Sequence, residues 1–147
     1  MPVPFRSAGD ARLTVAKEPA GTYDMISLDA FSSDSVPTHL LTVEALEIYF
    51  RALKPDGLVL LHISNRNMAL EPAAAAAAKA VGASALTQNF RPRNLHRLAA
   101  QSSDVMILSK SEATLAPFRA DPRWREPDMR GSRAWTDDYT NVAGAVL

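Results

Sequence analysis

The chain's apolar positions follow two periods. Leu58-Val59-Leu60-Leu61-His62-Ile63 is a near-continuous apolar run, and Pro55-Asp56-Gly57 turns the chain into it, so a buried strand is predicted there. Tyr23-Asp24-Met25-Ile26-Ser27-Leu28, between Gly21 and a loop rich in Ser and Asp, predicts a second buried strand. Between them Ala45, Leu46, Ile48, Tyr49, Ala52 and Leu53 repeat at helical spacing, which predicts a helix from Thr42 to Lys54. Glu44 and Glu47 near its start and Lys54 at its end suit the helix dipole. A strand, a crossover helix and a second apolar strand make a βαβ unit, with parallel strands and a right-handed connection.

The flanks add shorter elements. Residues 1–9, with prolines at 2 and 4, predict an irregular lead-in. Asp10 can cap a short helix reaching about Glu18, stopped by Pro19-Ala20-Gly21. Glu71-Pro72 opens an alanine-rich helix from Ala73 to about Val81, with Gly82 as its stop. Ala85 to Phe90 and Asp104 to Ser109 are further strand candidates, expected as an antiparallel pair. Ser111 to about Arg119 predicts a short helix, and residues 120–134 an irregular segment.

With 147 residues and 47% apolar content, the chain suits one α/β domain over residues 1–147. Lys+Arg and Asp+Glu are 16 each, so no net field draws it to nucleic acid or anionic lipid, and no nucleic-acid partner is expected. Cysteine is absent, which excludes disulfides and thiolate metal sites and fits a reducing compartment. No window approaches a membrane span, and Met1-Pro2-Val3-Pro4-Phe5-Arg6 has no signal-peptide pattern. The expectation is a soluble, cytoplasmic protein whose zero net charge offers little resistance to self-association.

Asp29 closes the first strand, at the edge where open α/β sheets place ligands, although a loop-capping aspartate would stand there too. Asp10 reads equally as a helix N-cap. His39, His62 and His96 stand at no metal-ligand spacing, so no metal site is expected, and His62 reads as a core or strand-end histidine. Asn65 and Ser64 follow a strand end, where they can line a pocket. Arg91, Arg93 and Arg97, with Arg119, Arg123, Arg125, Arg130 and Arg133, read as solvated loop charges.

Gly9-Asp10-Ala11-Arg12, then Tyr23-Asp24 entering a strand that ends in Leu28-Asp29, resembles a segment of the spermidine synthase family. The loop from Asp29 through Ala30-Phe31-Ser32-Ser33-Asp34-Ser35-Val36-Pro37 to Thr42 looks like that of bacterial spermidine synthase-like proteins, many of them fused to membrane segments. Leu53-Lys54-Pro55-Asp56-Gly57, His62-Ile63-Ser64-Asn65 and Trp135-Thr136-Asp137-Asp138-Tyr139 follow in the same order, so the resemblance runs from Gly9 over nearly the whole chain.

The resemblance implies a partial Rossmann-like, class I methyltransferase-like sheet, with Tyr23 to Leu28 as its fourth strand, Leu58 to Ile63 as its fifth and a terminal antiparallel hairpin. It implies aminopropyl transfer from decarboxylated S-adenosylmethionine to a small amine. Asp10, with Ala11, takes the position that meets the adenine amino group, and Asp29 that of the acid that orients and deprotonates the amine. Asp34 and Asn65 become amine-side candidates. The family's second loop acid normally stands three residues after the first, a position held here by Ser32, so Asp34 fits only with an insertion.

The six glycines, at 9, 21, 57, 82, 131 and 144, form no Gly-x-Gly turn, and no strand before Gly9 carries a ribose-binding acid. The expectation is therefore the carboxyl-terminal part of such a domain, without activity by itself and with no cofactor gripped firmly. An S-adenosylmethionine-dependent methyltransferase-like domain and a non-catalytic interaction domain are the alternatives. In the family fold the fourth strand pairs with the first, so Tyr23 to Leu28 would be an open edge and a homo-oligomer through it is expected.

Overall fold

The structure is a computed structural model that describes residues 8–31, 35–92 and 102–147. Helix α1 (Ala11–Ala16) starts at Asp10, whose side chain accepts the Leu13 N–H, and leads to strand β1 (Tyr23–Leu28). A 3-10 turn (Thr38–Leu40) precedes helix α2 (Val43–Ala52), capped by Thr42. Strand β2 (Leu53–His62), helix α3 (Glu71–Ala80), strands β3 (Ser84–Phe90) and β4 (Ser103–Ser109) and helix α4 (Glu112–Arg119) follow.

The sheet order is β1-β2-β4-β3. β1 and β2 are parallel, joined through α2, and β4 lies antiparallel between β2 and β3. β3 therefore runs with β1 and β2, so the carboxyl ends of three strands and the start of β4 share one edge. The expected βαβ unit and terminal hairpin are both present.

One boundary differs from the sequence reading. α2 ends at Ala52 and β2 begins at Leu53, with no separate turn. Tyr23 stands opposite Leu53 but Met25 opposite Leu58, so residues 54–57 bulge out within the strand. Glycine at 57 answers a close approach: a Cβ there would lie 3.0 Å from Leu53 side-chain atoms and from the Lys54 carbonyl oxygen. Lys54 Nζ reaches Asp24 Oδ1 at 2.7 Å across the bulge.

Alternation along β2 divides the core. Val59 and Leu61 join Ile26, Leu28, Met106 and Leu108 under α2 and α3, whereas Leu58 and Leu60 turn toward Leu86, Ile107 and Leu115 beneath α4. In α3 every residue from Pro72 to Ala78 is buried. Small side chains let that helix lie close to the sheet, and alanine's high helix propensity suits the segment. On the α4 side the cover stops short of the edge strand: Met25 is 54% exposed and Ser27 is exposed.

The segment after α4 has few regular elements but is pinned by specific contacts. Arg125 forms a bridge with Thr87 of β3, and Trp135 is buried in the main core. Arg12 donates to both carboxylate oxygens of Asp137, at 2.7 and 2.6 Å, and Thr42 Oγ1 donates to Asp137 Oδ1 at 3.0 Å. Asp137 thus ties the tail to the starts of α1 and α2.

Candidate active site at the sheet's carboxyl edge

Three side chains at this edge form one hydrogen-bonded row. Asp29 follows β1, His62 ends β2 and Ser64 lies two residues further on. Asp29 Oδ1 is 2.7 Å from His62 Nδ1, and His62 Nε2 is 2.9 Å from Ser64 Oγ. A carboxylate only accepts, so Nδ1 carries the imidazole proton of neutral His62, and Nε2 accepts from the Ser64 hydroxyl. Ser64 Oγ in turn accepts the Asp104 backbone N–H at 2.8 Å. The Asp29 side chain is 68% exposed and that of His62 31%. Parallel pairing of β1 and β2 creates the row, because Leu28 stands opposite Leu61 and the next residues of both strands emerge side by side.

Asn65 lies next to this row and acts as a clamp. Its Nδ2 donates to the Phe31 carbonyl at 2.7 Å, while its Oδ1 accepts from the Asn67 and Met68 backbone, both at 2.9 Å. It joins the loops that follow β1 and β2. Phe31 is fully buried, so the Asp29 loop is anchored two residues beyond the carboxylate.

Asp10 stands in a second cluster. Its Oδ1 accepts the Leu13 N–H at 3.0 Å and its Oδ2 lies 2.6 Å from His39 Nε2, in the turn between β1 and α2. The Leu13 hydrogen bond, then that of His39, holds its carboxyl below the ordinary range. Ala11 is exposed beside it. Asp34, like Arg93, His96 and Arg97, lies outside the described residues.

Beyond the row is a cleft of about 490 Å³ lined by Ile63, Asn65, Glu71, Arg91, Asp104 and Arg125, among others. Two of the arginines expected as solvated loop charges are half-exposed and paired here. Arg125 meets both Glu71 oxygens at 2.9 and 3.0 Å, and Arg91 meets Asp104 at 2.7 Å. Burial pushes the Asp104 carboxyl up, but Arg91 and Asn89 outweigh it and hold it low. Among the described residues no group of three or more His, Cys, Asp or Glu side chains is placed to hold a metal.

Sequence spacing concealed the two histidine partnerships. Asp29 and His62 are 33 residues apart, and Asp10 and His39 are 29 apart. Only the strand register and the crossover bring them together. The position of His62 at the end of a strand parallel to the one closed by Asp29 was the available signal.

Strong acid should loosen the tail. The Arg12 hydrogen bond holds the Asp137 carboxyl below its ordinary range, with Thr42 adding and burial opposing. A depressed folded-state pKa stabilises above the unfolded value of about 3.9, and that contribution fades as pH falls through the folded value. Asp137→Asn therefore flattens the loss of stability below about pH 4, as read from urea midpoints between pH 5 and pH 2. An unchanged acid limb would show that the Arg12–Asp137 pair contributes nothing.

No family model and no curated protein matches the sequence. The structure is similar to the crystal structure of a probable spermidine synthase from Corynebacterium glutamicum ATCC 13032, with a TM-score of 0.60 and 19% identity. The fold is spermidine synthase-like. The match covers 91% of this chain and 54% of the other, so this chain spans about half the length of that protein. In this spermidine synthase-like fold Asp29 directly follows strand β1. No helix among the described residues is long and apolar enough to cross a membrane.

Proposed function

We propose that this chain is part of an aminopropyltransferase-type domain and that Asp29 is its amine-binding acid. The observation that supports this reading is the Asp29 carboxylate at the carboxyl end of β1, with Oδ1 held by His62 and Oδ2 without a hydrogen-bond partner among the described residues. A primary amine is an ammonium ion at neutral pH and must lose a proton before it can attack carbon. A carboxylate that first holds the ammonium and then takes the proton meets both needs.

Decarboxylated S-adenosylmethionine would supply the electrophilic propyl carbon, and S-adenosylmethionine a methyl group in the alternative methyltransferase reading. The described residues fit such a ligand only at its adenine end. Each Asp10 oxygen already accepts one hydrogen bond and keeps a second lone pair for the adenine amino group, with Ala11 exposed alongside. We accordingly propose that residues 1–147 alone carry out no aminopropyl transfer, and that the protein works in the cytoplasm.

Calorimetry tests the amine and nucleotide halves separately. 1,4-Diaminobutane is expected to bind the chain weakly, with at least tenfold loss in Asp29→Asn, while methylthioadenosine gives no micromolar binding. In a longer polypeptide with measurable turnover, Asp29→Asn lowers it by about 10²-fold, the usual cost of losing a general base. Diamine binding indifferent to Asp29→Asn would remove Asp29 from the site.

The edge strand supports a second element of the proposal: a second copy of this chain pairs along β1. β1 ends the sheet, half-exposed Met25 stands on it, and equal numbers of acidic and basic residues leave no net repulsion between copies. Sedimentation at micromolar concentration should show a dimer that Met25→Lys dissociates. A monomer throughout the concentration range would refute the pairing.

A further inference from the structure

Asp29, His62 and Ser64 meet the geometric definition of a triad that activates a hydroxyl. We infer that Ser64 is a base-activated nucleophile, able to attack an acyl or phosphonyl centre, an activity separate from amine binding and not dependent on it. The three contacts have directions as well as lengths. At 2.7 Å the carboxylate fixes the Nδ1–H tautomer, and at 2.9 Å Nε2 stands ready for the hydroxyl proton. The Asp104 N–H, 2.8 Å from Oγ, uses a lone pair rather than the hydroxyl proton, and it stabilises negative charge growing on that oxygen.

Ser64 is partly exposed, and its sequence neighbours Ile63 and Asn65, with Asp104, whose amide holds Oγ, line the adjacent cleft of about 490 Å³. A serine that only capped the β4 amide would need neither a histidine acceptor nor a carboxylate behind it. In the activated step the Ser64 hydroxyl proton passes to Nε2, Oγ bonds to the electrophilic centre and the leaving group departs with its electron pair. Asp29 stays ionised and stabilises the imidazolium.

An alkyl fluorophosphonate tests this on the chain as it stands. Oγ–phosphorus bond formation expels fluoride, and intact mass with peptide mapping locates the adduct. One adduct at Ser64 is expected in the folded chain and none in the heat-unfolded chain. His62→Gln should slow labelling by about 10²-fold or more, because the proton acceptor is gone. Asp29→Asn should slow it comparably, since its amide N–H can donate to Nδ1 and leave the proton on Nε2. Asp29 is two-thirds exposed, so this variant keeps the fold and decides the matter even if His62→Gln does not fold. No Ser64 adduct in the folded chain, or a rate indifferent to both substitutions, overturns the inference. Labelling without diamine binding would uphold it while defeating the amine reading.

Discussion

Phe31→Ala lowers the unfolding free energy by about 3 to 5 kcal/mol, the usual cost of deleting a buried phenylalanine. Phe31 has no exposed surface, and its carbonyl receives the Asn65 amide. The substitution leaves a cavity and loosens the loop that carries Asp29, so two readouts should move together. Urea unfolding gives the stability loss, and the histidine ring nitrogens, followed by NMR, report the Asp29–His62 contact. A domain of this size has only about 5 to 15 kcal/mol in total, so the variant lies near the limit of folding. A loss under 1 kcal/mol would mean that the site loop is not anchored through this ring.

The second large effect separates the two sheet faces. Leu61→Ala should cost about 2 to 5 kcal/mol and Leu60→Ala clearly less. Leu61 is fully buried beneath α2 and α3, whereas Leu60 is only partly covered on the α4 side. Adjacent residues on one strand make a controlled pair, since propensity and strand position are shared. Equal losses in urea unfolding would show that the α4 face is as fully packed as the other.

The βαβ unit was legible because its signals are local. Period and punctuation placed β1, α2 and the apolar core of β2, and Asp10 serves as the expected cap. The antiparallel pairing of β3 and β4 was legible too, but not that β4 inserts beside β2, because strand order is a nonlocal property. The same limit hid the site. Asp29 was singled out by its place at a strand end, yet its histidine partner depends on register, which no spacing along the chain expresses. Asp137 is the opposite case. It stood out in sequence without a role, and the role is to bind Arg12, 125 residues away.

The chain's last residues carry a practical consequence. Val146 bridges to Met68, Leu147 N–H donates to the Asn67 carbonyl at 3.0 Å, and Leu147 lines the cleft beside Asn65 and Arg91. A purification tag or fluorescent reporter fused after Leu147 would thus emerge at the cleft mouth and screen it from small molecules. Assays of binding or labelling on residues 1–147 are better run without a fusion at that point, and a reporter placed there becomes a proximity sensor for whatever enters.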